Sequence, residues 1–469
     1  MENFPPIDIV RCEQTEITMK IYYLQFKVKS TRENEKYDLV EGALAHCWIK
    51  ETNPQNAHAK AEFFVSKSDW KITGVEDYPI EVNESNFSGK DLGTENYLKS
   101  KSEGISIAYV GWSRDGKTTA GPFQLRQSYK FPISEYIDNQ KKLSQKGRCL
   151  HYENGRRCNE IIKAHSIQKN QSLSAIAQNG HVYKISSDIG SLKKNKGRLT
   201  YKKYGINNVS TFLGFCKKHD NELFEPIDND LLIPTDQQIF LYSYRSLCRE
   251  LFVSQNALEL VKNQLENCVN QDAIKKMLSR YVAGKAFGLK NLNSHKLEYD
   301  KSLRNKSYSD IKYVVFQSKQ KPIIAFSGIF YPDFDFLGGQ LQNLGDHSRD
   351  LQLITFCSAP IEKGWAYIFA WHQTSSNVCV DFMRSLATKA HNDVRSLGDA
   401  LFRLAITNCE NLAISPEWWD NLEKDNKEKI ADRAIYWADI LSVAEESYLI
   451  NGLEGISAWK FEKVISNMD

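Results

Sequence analysis

Apolar and polar residues alternate over residues 18–28 (TMKIYYLQFKV), the period of a strand with one buried face. A second strand is predicted over 43–52. Asn53-Pro54 then marks a helix start, and Ala57, Ala61, Phe64 and Val65 recur at helical spacing. Strand periodicity returns over 70–82, a short helix over 96–102 and another strand over 105–112. His46 and Cys47 fall on a predicted strand and are expected in its core or at its edge. A short basic helix is predicted over 134–146. Between 236 and 284, Phe240, Tyr244, Leu247 and Leu251, then Leu258, Val261, Leu265 and Val269, predict two antiparallel helices. Residues 313–316, 322–330, 351–357 and 365–371 predict a mostly antiparallel sheet. Residues 381–408 return to helix, and one more helix is expected from Pro416 to about 441. The pattern predicts an α+β, multidomain chain: an N-terminal α+β domain (1–135), a central domain (136–235) and a C-terminal helical and antiparallel-sheet domain (236–469).

Composition supports ordinary folding, with 41% apolar residues in 469. Net charge is only +3, but residues 141–205 hold 15 Lys or Arg against three Asp or Glu. That local +12 leaves the remainder at −9, so the central segment is where a polyanion would be drawn. Seven of the ten cysteines are scattered singly and read as reduced core thiols rather than a disulfide framework. The N-terminus carries no signal-peptide pattern, and no run of about 20 apolar residues exists. A cytoplasmic protein with no membrane span is expected.

Chemistry concentrates in the central segment. Cys149 and Cys158 precede His165, then come Asn179-Gly180 and Cys216-Lys-Lys-His219. Zinc takes four N or S ligands in a tetrahedron, delivered as pairs by short turns. Two residues separate Cys216 from His219, and Asn154-Gly155 is a hairpin signal able to bring Cys149 and Cys158 together. Cys149, Cys158, Cys216 and His219 are the predicted Zn2+ ligands. His151 stands as an alternative to Cys158.

The order of a Cys pair, Ala164-His165-Ser-Ile, Asn179-Gly180 and Gly-Phe-Cys-Lys-Lys-His219-Asp-Asn-Glu-Leu resembles the HNH nuclease superfamily over about 80 residues. The resemblance implies a zinc-bound treble-clef or ββα-metal domain that hydrolyses DNA phosphodiesters with a catalytic Mg2+ or Mn2+. It implies that His165 activates water, that Asn179 supports it, and that Asp220 or Asn221 with His219 lies near the cation. Ala164 departs from the Asp often found before the base. By the same resemblance the setting is bacterial antiviral defence, with the flanking domains regulating, docking on a protein partner or forming a homo-oligomer. Lys193, Lys194, Lys196, Arg198, Lys202 and Lys203, in a basic insert, are expected to grip phosphates.

Blander readings stand beside these. His165 could be a satisfied core imidazole in a zinc fold that only binds nucleic acid or protein, and His181 could serve in its place. Residues 111–118 match GxxxxGK[ST] by letter. Asp115-Gly116 and Gly121-Pro122 favour a hairpin turn there instead. Asp333, Asp335 and Asp346 with His347 read as a solvated loop, Trp418-Trp419 as a core anchor, and Trp365, Tyr367, Phe369 and Trp371 as core.

Overall fold

The computed structural model describes residues 19–34, 37–113, 119–122, 133–153, 158–186, 200–267, 272–393, 395–437 and 448–468. The chain is mixed α+β and divides near residue 130 into two compact units.

The first unit is a sheet of five strands: β1 (Lys20–Ser30), β2 (Val40–Glu51), β3 (Trp70–Val82), β4 (Ile105–Ser113) and β5 (Thr119–Pro122), in the order β3-β1-β2-β4-β5. Helix α1 (Pro54–Lys67) starts where expected, with the Asn53 side chain accepting from the Asn56 amide at 2.8 Å. Its Ala57, Ala61 and Val65 pack on Tyr22, Leu24, Phe26 and Val28. Residues one position over, Tyr23 and Trp48, point to the other face and meet Phe87 and Tyr97, the latter from α2 (Asp91–Glu103). His46 and Cys47 are buried as expected, with His46 Nδ1 2.8 Å from the Tyr23 hydroxyl. β5 pairs antiparallel with β4, so the chain returns from the letter match over 111–118 as a strand and not a helix. Residues 114–118 themselves lie outside the described residues.

The second unit opens with α3 (Ile133–Gln145), then β6 (Ile161–His165), β7 (His181–Ser186), β8 (Thr200–Gly205), β9 (Thr211–Cys216) and α4 (Lys217–Asp228). Two long helices follow, α5 (Asp236–Glu266) and α6 (Asp272–Asn305). Strands β10 (Ile311–Ser318), β11 (Ile324–Phe330), β12 (Ile354–Ile361) and β13 (Gly364–His372) precede α7 (Ser376–Asn392) and α8 (Ser396–Asn408). The chain then forms β14 (Leu412–Ile414), α9 (Pro416–Asn421), α10 (Lys424–Ala434) and β15 (Lys463–Ser466).

Its eight-stranded sheet runs β15-β10-β13-β12-β11-β14-β7-β8, with every pairing antiparallel. One face carries Phe326, Phe356, Tyr367, Phe369 and Trp371 against α7 and α8, so the aromatic stripe of β13 is core. The other face carries Val315, Cys357 and Ile368 against α5, whose residues 238–248 are buried all round, as a helix inside a core must be. Phe215, Phe224 and Ile227 from β9 and α4 belong to that same core. Segments 136–235 and 236–469, expected as separate domains, therefore form one compact unit. Ile414 of β14 also pairs with Tyr183 of β7, joining the central hairpin to the sheet.

Candidate metal centre and the His165 site

β6 and β9 form a two-stranded antiparallel sheet, with Ala164 opposite Phe212 and His165 opposite Thr211, and β9 runs directly into α4. Residues 148–150 lie along β9, where the Arg148 amide donates to the Leu213 carbonyl (2.9 Å) and the Leu150 amide to the Gly214 carbonyl (2.8 Å). This sets Cys149 beside Cys216. Opposite, the Lys217 amide donates to the Glu160 carbonyl and the Lys218 amide to Asn159 Oδ1, which brings in Cys158. Cys216 caps α4, and its sulfur lies 3.5 Å from the His219 amide.

The ligand atoms of Cys149, Cys158, Cys216 and His219 all lie within 4.8 Å of one another. His219 Nδ1 is 3.4 Å from Cys149 Sγ and 3.6 Å from Cys158 Sγ. Zinc bonds of about 2.3 Å to sulfur and 2.0 Å to nitrogen give a tetrahedral S–N edge of about 3.5 Å. The group fits zinc. Three thiols this close do not all ionise unaided. Burial pushes the Cys149 thiol up to about 12. Burial also opposes the Cys216 thiolate, but the amides of His219 and Asn159 together with the Cys149 and Cys158 thiols outweigh it and hold that thiol below its ordinary value. A divalent ion would deprotonate the thiols outright.

No motif in the sequence marks what stands behind His219. His151, the alternative ligand, instead stacks on the His219 ring, with centroids 4.1 Å apart and planes 16° from parallel. Glu153 Oε2 lies 3.3 Å from His219 Nε2, an ion-pair distance though not an aligned hydrogen bond. His151, Glu153 and His219 form a second gathering of donor atoms, but it shares His219 with the first. With Nδ1 turned to the sulfurs, Glu153 takes the place of an outer carboxylate that orients a metal-bound imidazole. Only its position beside His151 in the Cys149–Cys158 connection hinted at this.

His165 ends β6, is half-buried, and places Nε2 3.3 Å from the Ile206 carbonyl. Burial lowers its pKa, and Lys169 and Arg245 act in the same direction, while the Ile206 carbonyl and Asp228 oppose them. Asn179, expected to support this ring, is exposed at φ +50° beside Gly180 at φ +70°. Gln178 and His181 exchange backbone bonds at 3.0 Å around them, the two-residue hairpin turn that Asn-Gly favours. The turn still reaches His165 indirectly, since the Ile206 amide donates to the Gly180 carbonyl. His181 is exposed, with Nδ1 2.8 Å from the Asn179 carbonyl oxygen.

Asp220 lies in the first turn of α4. Its Oδ1 is buried without a hydrogen-bond partner, and burial pushes its pKa up to about 6 against the pull of Arg245. Asn221 is exposed. Arg245 on α5, 2% exposed, grips both carboxylate oxygens of Asp228 at 2.7 and 2.6 Å and lies 4.0 Å over the Phe224 ring. This pair, which joins the site to α5, had no local sequence signal. Among the described residues, no third gathering of three or more His, Cys, Asp or Glu donors exists, so neither His165 nor Asp220 belongs to one.

Lys193, Lys194, Lys196 and Arg198 lie outside the described residues. Lys202 and Lys203 are exposed on β8, and Lys203 is held by Asp420 at 3.0 Å over the Tyr183 ring. In the acidic loop Asp335 Oδ1 accepts the amides of Leu337 and Gly339 and Asp346 Oδ1 that of Ser348, but Asp333, expected to be solvated, is buried and accepts the Tyr448 hydroxyl at 2.8 Å. The described cysteines are unbridged, and no helix among the described residues is long and apolar enough to cross a membrane. Comparison with protein-family models, with curated proteins and with solved structures returns no match.

Proposed function

We propose that the chain is a zinc-stabilised HNH-type endonuclease that hydrolyses DNA phosphodiesters. One arrangement carries the reading. β6, β9 and α4 form a strand–strand–helix unit closed by a Cys/His group, with His165 at the end of its first strand and Asp220 in the first turn of its helix. In this reading the unit is a treble-clef, ββα-metal fold and Zn2+ is structural.

His165 is the general base. Burial and two nearby cations favour the neutral ring, so near pH 7 it can take a proton from water. Because Nε2 donates its proton to the Ile206 carbonyl, the lone pair left to take a proton from water is on Nδ1. The buried, unpartnered Asp220 Oδ1 would supply a carboxylate to Mg2+ or Mn2+. Such a cation would neutralise charge on the leaving oxygen. Asn221 stays a lesser candidate because it is exposed. Asn179 acts through the turn that contacts Ile206. Lys202, Lys203 and the basic insert would hold phosphates, Lys203 after releasing Asp420. The first unit and the C-terminal sheet would serve regulation or docking, in an antiviral defence setting, in a cytoplasmic protein.

A second reading is a nucleic-acid-binding module without cleavage. Two observations favour it: Ala164 offers no side-chain ligand, and the His165 ring is already engaged by a backbone carbonyl. Supercoiled plasmid incubated with the protein and Mg2+ or Mn2+, beside His165→Ala, separates the two. Nicking by the parent and not the variant supports the nuclease. Equal plasmid binding and no nicking by either supports the module.

A further inference from the structure

A buried polar cluster flanks His165 on the side away from the zinc ligands. Asn411 sits in the turn between α8 and β14 and is 1% exposed. Its Nδ2 donates to Ser166 Oγ at 2.8 Å and to the Ser327 carbonyl at 3.1 Å. Ser166 Oγ lies 2.7 Å from Ser210 Oγ, the Ser166 amide donates to the Ser210 carbonyl at 2.9 Å, and the Ile167 amide donates to Ser210 Oγ at 3.0 Å. Ser327 Oγ continues the chain to Ser246 Oγ on α5 at 2.8 Å. All five side chains are buried.

The cluster's position gives it meaning. Ser166 follows His165 directly, and Ser210 precedes Thr211, the residue opposite His165 in the β6–β9 pair. Ser210 is held at φ +60°, a conformation that costs a non-glycine residue energy and persists only where surrounding contacts impose it. The Asn411 amide thus holds Ser166 directly, from a turn 245 residues away, and Ser210 through Ser166, so both chain segments that bracket the imidazole join one network.

We propose that Asn411 is a positioning residue for His165, clamping the end of β6 to the C-terminal sheet so that the aim of the imidazole depends on the β11–β14 pair. The assignment rests on the nuclease reading above for its consequence, but not for its geometry. It makes the sheet a route of control: a ligand or partner that shifts the β14 turn moves the base without touching the strand–strand–helix unit.

The test uses the full chain with 13C-labelled histidine rings, the His165 resonance being assigned from its loss in His165→Ala. Asn411→Ala removes the clamp. Ser166→Ala removes the acceptor next to His165, together with the Ser166–Ser210 hydroxyl bond, and leaves Asn411 bonded to the Ser327 carbonyl, so it decides if Asn411→Ala does not fold. Lys169, Arg245 and Asp228, the charged groups that act on His165, are unchanged in both variants. The expected result is a displaced His165 resonance and a titration midpoint shifted toward 6.5. Mn2+-dependent nicking should fall roughly 10- to 100-fold in kcat, as for a base misplaced by about 1 Å, with KM for plasmid within about twofold. A folded variant whose His165 signal and midpoint match the parent overturns the proposal. If the parent does not nick DNA, the nuclease reading fails, and the ring resonance still decides whether Asn411 positions His165.

Discussion

Removing the carboxylate of Glu153 should loosen zinc without touching a ligand. His219 is 1% exposed and turns Nδ1 toward two sulfurs, which leaves Nε2 to Glu153 at 3.3 Å. A carboxylate in that place selects the tautomer whose Nδ1 lone pair is free and raises its basicity. Losing such a partner costs about 10- to 100-fold in metal affinity, or about 1.4 to 2.7 kcal/mol. Glu153 is 26% exposed, so water can take up part of its role, and its contact is imperfectly aligned. Glu153→Ala is therefore expected at the low end, about tenfold. Glu153→Gln keeps an acceptor oxygen without the charge and should lose less. The assay is competition for one equivalent of zinc between the full-length protein and a chromophoric chelator at neutral pH. Glu222→Ala, an exposed change on the helix that carries His219, is the control. A Glu153→Ala protein that holds zinc within twofold of the parent refutes the reasoning and reduces the contact to a surface ion pair.

Three other outcomes follow from the geometry. The His165 imidazole titrates below 6.5 because burial disfavours its cation. As pH falls from 6.5 through that lower value the unfolded chain binds the proton first, so the folded state loses stability there and not above. The urea midpoint of the parent should fall relative to that of His165→Gln between pH 7.5 and 5.5, and a constant gap would contradict this. Asp228→Ala leaves the buried Arg245 guanidinium without its carboxylate and should cost about 3 kcal/mol. Arg245→Met should cost less in the same urea titration, because Asp228, 39% exposed, can regain water. Trp371→Ala, at 0% exposure in the sheet core, should cost about 3–5 kcal/mol, and the partly buried Trp418→Ala visibly less. Equal losses would argue against the packing described.

Local rules made much of this chain legible before any coordinates. Alternation over 18–28 and 70–82 marks strands because a pleat turns successive side chains to opposite faces. Asn53 and Pro54 announce α1 because the cap and the first turn are satisfied within four residues. Cys216 and His219 could be named because a strand end and a first helical turn bring them together, whereas Cys149 and Cys158 reach them through bonds to β9 and to the start of α4, the expected Asn154-Gly155 turn lying outside the described residues. Asn179-Gly180 was visible too, but its strongest signal was conformational: two left-handed residues closing a hairpin, with the amide exposed and not holding the imidazole.

What the sequence did not disclose are pairings across long separations. Glu153 behind His219, Arg245 on Asp228 and Asn411 on Ser166 have no common period or spacing. They meet because apolar faces of distant elements share one core. Phe215 and Phe224 beside the metal ligands pack with Tyr244 and Leu247 of α5. Periodicity states that a face must be buried and is silent about what covers it. The order and spacing of residues in the central segment thus pointed by themselves to the Cys149, Cys158, Cys216 and His219 group that could hold a metal ion. Only the tertiary structure decided that this segment is continuous with the C-terminal sheet, because burial of a common apolar surface places a β14 turn beside His165.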